Sequence, residues 1–81
     1  MNDTDIRALA ADVLAGIAPE VDLATVSDDE DLRDALDLDS MAFQNFVIGL
    51  HVKTGVAIPE ADVPHLRTLR GLLAYFAQLG A

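Results

Sequence analysis

Three apolar stripes at helical spacing, and no stretch that alternates as a strand does, decide what this sequence can become. Ile6, Leu9, Ala10, Val13, Leu14 and Ile17 recur every three or four residues, which places them on one face of a helix. Asp3 or Thr4 can cap its start, and Pro19 stops its continuation. Residues 40–54 hold no proline, and Asp39 stands where a capping side chain belongs. Phe43, Phe46, Val47, Leu50 and Thr54 share one face of that second helix. Leu69, Leu72, Leu73 and Phe76 form the third stripe, with Thr68 as the cap and an end near Gly80. "VAI" at 56–58 is the best strand candidate, and nothing else in the chain could pair with it.

The segments between the stripes are equally informative. Residues 18–38 read as a long connection with short helical turns at most. Val21, Leu23, Val26, Leu32, Leu36 and Leu38 make it too apolar for a free linker, so it is expected to pack back over the helices. Gly55 ends the second helix, Pro59 follows an extended pair, and one short helical turn fits near 60–66 despite Pro64. The expected class is all-α, with three longer helices and a short one. At 81 residues the chain makes a single domain, residues 1–81. A fold of this size has a stability of about 4–12 kcal/mol.

Met41, Ile48 and Val52 lie almost opposite the core face of the second helix. A helix with two apolar stripes must bury both or offer one to a partner. Either the long connection covers the second stripe or it is a docking surface.

Charge excludes some functions. The net charge is −9, and residues 1–39 hold 12 acidic against 2 basic side chains, a net −10. Nucleic acid is therefore not an expected partner, since binding it rests on Lys and Arg contacts to phosphate. The acidity stops at Ser40, and it serves either as a solvated face or to steer a basic partner. Without cysteine, neither disulfides nor thiolate metal sites are possible. "SDDED" at 27–31 lacks the loop pattern of a calcium site, and no metal is expected. No run reaches the ~18 apolar residues of a membrane span, and no signal-peptide pattern opens the chain, so the cytoplasm is the expected location. His51 and His65 suit surface or packing roles, and Ser40 lacks the G-x-S-x-G context of a nucleophile. No catalytic residue is expected.

Ser40 has two readings. It can simply begin a helix beside the cap Asp39. A hydroxyl in the first turn is also a good place for a phosphate ester, because backbone N–H groups there are unpaired and the dipole favours negative charge.

The residues around it resemble the acyl carrier protein family. "DLDSM" at 37–41 sets Asp39-Ser40 before a large apolar residue, and "DEDLRDALDLDSM" resembles the family's L-x-x-x-L-G-x-D-S-L approach. "GVAIP" puts Pro59 19 residues after Ser40, and "HLRTLRGLLAYF" resembles the family's last helix. The resemblance implies a four-helix bundle with a long loop between its first two helices. It implies 4′-phosphopantetheine esterified to Ser40 by a phosphopantetheinyl transferase, with Asp39 and Met41 as flanking motif residues. Acyl groups would ride on the arm as thioesters between acyl-loading and acyl-processing enzymes of fatty acid, lipid or polyketide-type biosynthesis, and the carrier would be a monomer. Phe46, Val47, Leu50, Ile58, Leu66, Leu72 and Tyr75 would be candidates to line an acyl chain, or else ordinary core. An aminoacyl or peptidyl carrier is the nearer alternative. An interaction module with this fold and no arm is the more distant one.

Three departures from the family pattern qualify the expectation. The motif glycine is Asp37 here, at a turn that suggests positive φ, a region Asp tolerates better than most residues. The helix after Ser40 has no carboxylate, where the family usually has several, so its outer face offers Met41, Asn45, Ile48 and Val52. With Asp37, these make the expected partner surface. The remaining acidity is shifted to Asp28–Asp39. Together these point to a specialised carrier with dedicated enzymes.

Overall fold

The computed structural model describes residues 2–79. Four α-helices run in chain order: α1 (Asp3–Ile17), α2 (Leu32–Ala35), α3 (Ser40–Thr54) and α4 (Leu69–Gln78). Two 3-10 segments, Leu23–Thr25 and Glu60–Leu66, lie in the connections. Among the described residues there is no strand, and residues 56–58 are irregular. The expected end of the last helix near Gly80 falls outside the described residues.

Each helix starts where a side chain can take up a free N–H. On α3 the Asp39 carboxylate accepts from Ala42 N–H at 2.7 Å, and on α4 the Thr68 hydroxyl accepts from Gly71 N–H at 3.0 Å. On α1 the cap is Asn2, whose side chain accepts from Asp5 N–H at 2.9 Å, and not Asp3 or Thr4. Asn2 is itself a strong capping residue, so the helix begins earlier than a cap at Asp3 or Thr4 would allow. Gly55 ends α3 with φ +70°, a left-handed conformation that glycine adopts without strain.

The three stripes meet in one core. Ile6, Ala10, Val13 and Leu14 of α1 pack with Phe43, Phe46, Val47 and Leu50 of α3 and with Leu69, Leu72, Leu73 and Phe76 of α4. Each such large side chain contributes about 1.5–3 kcal/mol by leaving water. The long connection packs back as expected: Leu23, Leu32 and Leu38 are buried, and Val21, Val26 and Leu36 are partly so. The segment 60–66 is pressed against α4. A β-carbon on Gly71 would sit 2.2 Å from the His65 carbonyl oxygen, and the Tyr75 hydroxyl donates to Asp62 at 2.9 Å.

Three aspartates of the connection pair with arginines elsewhere in the fold. Asp28 pairs with Arg7 at 2.9 Å, Asp31 with Arg67 at 2.6 Å, and Asp29 with Arg70. Backbone bonds run alongside, from Leu32 N–H to Arg67 O and from Arg70 N–H to Asp28 O. The connection is thereby laced to α1 and to the start of α4. In the same "SDDED" run Glu30 accepts from Ser27 N–H at 3.1 Å.

The pairs predict an acid response. The Arg7 guanidinium holds the Asp28 carboxyl below its usual range. Burial pushes Asp31 up, but the N–H groups of Arg33 and Asp34 together with Arg67 outweigh it, so its net shift is also downward. A carboxylate lowered in the folded state binds protons later than in the unfolded chain, so its stabilisation is present at neutral pH and lost as pH falls through about 4 and below. Urea midpoints are expected to drop on acidification from neutrality to about pH 3. The drop should be smaller in an Arg7→Gln/Arg67→Gln double variant, and equal drops would show that these pairs are not the cause.

Candidate functional site

The site is built by the end of α2 and the start of α3. Asp31 caps α2, accepting from Arg33 N–H at 2.9 Å. Four residues later the helix closes in a turn with two reaching bonds, Leu38 N–H to Arg33 O at 2.9 Å and Asp37 N–H to Asp34 O at 3.4 Å. This pairing needs a left-handed residue just past the helix, and Asp37 supplies it with φ +54°. Asp37 is the one non-glycine residue with positive φ among those described. Where the resemblance expects a glycine, Asp37 itself makes the left-handed turn. Leu38 then drops into the core, and Asp39 and Ser40 emerge on the surface.

Ser40 is the first residue of α3, and it is exposed. The capping work is done by Asp39. The serine hydroxyl is therefore presented to solvent at a helix N-terminus, with the exposed carboxylates of Asp37 and Asp39 beside it in sequence.

Next to Ser40 a groove of ≈ 590 Å³ opens between α3 and the segment 58–64. Arg33 and Ser40 stand in its wall, with Phe43, Val47, Ile58 and Val63 giving it an apolar lining and Glu60 a carboxylate. Of the residues considered for acyl-chain lining, Val47 and Ile58 reach this groove. Phe46, Leu50, Leu66 and Leu72 are sealed in the core, and Tyr75 is partly buried against Asp62. Arg33, Phe43 and Val63 were not among the sequence candidates for the lining. Phe43 shares the face of α3 that the periodicity shows, but no local pattern could have selected Arg33 or Val63, because the short α2 and the 60–66 segment come to the groove only through tertiary packing. A second hollow, of ≈ 400 Å³, lies between α1 and residues 21–24, away from Ser40 in the sequence and lined without it.

The outer face of α3 is uncovered. Met41, Ile48 and Val52 are 72%, 51% and 71% exposed, and Asn45 is exposed among them. The long connection packs elsewhere and does not cover this stripe.

An exposed serine thus opens a helix beside a groove, in a frame of four helices. The family model for the phosphopantetheine attachment site matches residues 4–76, nearly the whole chain. The chain belongs to the acyl carrier protein family. An acyl carrier protein of Kineococcus radiotolerans is 34% identical over 73 residues, covering 83% of this chain and 90% of that one. The "Polyketide-8 synthase acyl carrier protein 2" of Streptomyces avermitilis is 32% identical over 71 residues, 88% of this chain and 76% of its own. The "Meromycolate extension acyl carrier protein" of Mycolicibacterium smegmatis is 30% identical over 80 residues, 91% and 81% respectively. No solved structure gives a significant match.

This carrier's role is to hold acyl groups on a phosphopantetheine arm, and its cofactor is 4′-phosphopantetheine. The residues present fit such a group. A free hydroxyl faces solvent, a groove begins beside it, and a buried guanidinium nitrogen of Arg33 has no hydrogen-bond partner. The absence of cysteine from the sequence is consistent with an arm that brings its own thiol. No helix among the described residues is long and apolar enough to cross a membrane.

Proposed function

We propose that Ser40 is the residue esterified with 4′-phosphopantetheine, and that the chain is a monomeric, single-domain acyl shuttle with no chemistry of its own. The observation that carries this is the exposed Ser40 hydroxyl at the start of α3, freed from capping by Asp39. Asp39 fixes the helix start and Asp37 fixes the turn before it, so together they set where the hydroxyl points. When bound, the arm supplies the thiol on which an acyl group is carried as a thioester. The chain's own residues present that arm and leave every bond-making step to partner enzymes.

Those partners are a phosphopantetheinyl transferase and the acyl-loading and acyl-processing enzymes of a biosynthetic pathway in the cytoplasm. Their docking surface is Asp37, Met41, Asn45, Ile48 and Val52. With no carboxylate on α3, the encounter is led by apolar contact and depends less on salt than a charge-steered one. That favours a specialised polyketide or lipid assembly system over general fatty acid synthesis. The relatives named above are acyl carriers, which favours acyl over aminoacyl or peptidyl cargo.

The test begins with incubation with coenzyme A and a broad-specificity transferase. The intact mass should rise by one arm per chain, and the added mass should map to the peptide holding Ser40. The holo protein should then be loaded by a fatty acyl ligase and refused by amino acid ligases. A mass that stays at the apo value removes the proposal.

A further inference from the structure

The chain has 5 basic side chains against 14 acidic ones. Arg7, Lys53, Arg67 and Arg70 each form an ion pair with an aspartate. Arg33 forms none among the described residues. In so acidic a molecule, a guanidinium without a carboxylate is out of keeping with its setting. It is also not a freely solvated side chain, because it is partly buried and its Nε is buried without an acceptor. Arg67 Nε shares that state, but the Arg67 side chain is bonded to Asp31 through a terminal nitrogen. A buried donor left unmet costs free energy, so Arg33 is set up to receive an acceptor that the folded chain does not itself supply.

Its position says which acceptor. Arg33 stands in the wall of the groove that also holds Ser40. An arm on Ser40 begins with a phosphodiester, a permanent anion fixed next to the Ser40 Oγ. That anion lies near Asp37 and Asp39 in sequence, and both carboxylates oppose it. Arg33 is the one cation lining the groove, and a planar guanidinium matches phosphate oxygens well. Glu60 lines the groove too and is the competing carboxylate, yet it makes no ion pair with Arg33.

We propose that Arg33 receives the phosphodiester of the arm and holds the first part of the arm against the groove between α3 and residues 58–64. This rests on the reading of Ser40 as the attachment point. Arg33 is thus a positioning residue: it sets where the flexible part of the arm starts, and it offsets the charge that modification adds.

The experiment compares apo and holo protein by NMR. The Arg33 Nε–Hε cross-peak, assigned by its loss in Arg33→Lys, should shift on conversion to holo and stay unmoved in Ser40→Ala treated in the same way. The phosphorus-31 resonance of the holo protein should shift in Arg33→Gln, with partial return in Arg33→Lys, which keeps the charge but not the planar fork. The apo–holo comparison uses wild-type protein, so it stands even where a variant is poorly folded. A wild type that becomes holo with neither resonance responding overturns the assignment while leaving Ser40 intact. So does a cross-peak that moves only when the loaded acyl group ends in a carboxylate, which gives Arg33 to the cargo instead. A wild type that stays apo overturns the assignment together with the reading it rests on.

Discussion

Ser40→Ala protein is expected to fold as the wild type does and to gain no mass with coenzyme A and a broad-specificity transferase. The two halves of that expectation have separate causes. The fold should survive because Ser40 is exposed and the α3 cap belongs to Asp39, whose carboxylate takes Ala42 N–H. Alanine is the best helix former, so the change at the first helical position should stay within about 0.5 kcal/mol. The loss of modification should be complete, because no neighbouring hydroxyl can substitute. The only other serine in the sequence is Ser27, an exposed residue of the connection that opens no helix. A folded Ser40→Ala chain that still gains the arm would move the attachment to Ser27 or elsewhere and remove the central claim. Partner capture by the variant is a separate measurement. A stable complex of undiminished strength would show that Met41, Ile48 and Val52 bind without the arm, and would favour an interaction module.

How much of this was legible in the sequence follows from how local each cause is. The Asp39 and Thr68 caps and the Gly55 stop are each decided within a few residues, and the sequence shows them directly; the turn at Asp37 is equally local but was expected only through the resemblance. Asn2 shows the limit of that precision: when capping residues stand at 2, 3 and 4 in a row, local chemistry does not choose among them. The ion pairs that lace the connection down link residues 21, 36 and 41 positions apart, so the acidic run looked like free surface charge when three of its aspartates are paired with arginines. The groove was the least legible feature. Periodicity separates buried from exposed positions on a helix, and it correctly put Phe46, Leu50 and Leu72 inside. It cannot tell a buried position at the centre of the core from one at the edge of a groove, as Val47 is. Arg33 was invisible for the same reason, since what singles it out is the absence of a partner.

Phe46→Ala should bring the chain close to unfolding, while Ile48→Ala two positions away should scarcely matter. Phe46 is fully buried, at 0% exposure, with its ring 6.2 Å from that of Phe43, in the cluster where α1, α3 and α4 meet. Truncating it removes a large apolar surface and leaves a cavity that rigid helices cannot close, at a cost of about 3–5 kcal/mol. Against a total of about 4–12 kcal/mol, that is a large part of what holds the chain folded. Urea unfolding followed by circular dichroism should show the midpoint falling by more than about 1 M, given slopes of roughly 1–3 kcal/mol per molar for small domains. Ile48 is equally apolar on the same helix, but it is 51% exposed. Its truncation should cost within about 0.5 kcal/mol. The contrast tests the orientation of α3 about its own axis, because a rotation that buried Ile48 would draw Phe46 away from the core. Comparable losses from the two substitutions would mean that the outer stripe is packed after all, and the docking surface beside Ser40 would have to be given up.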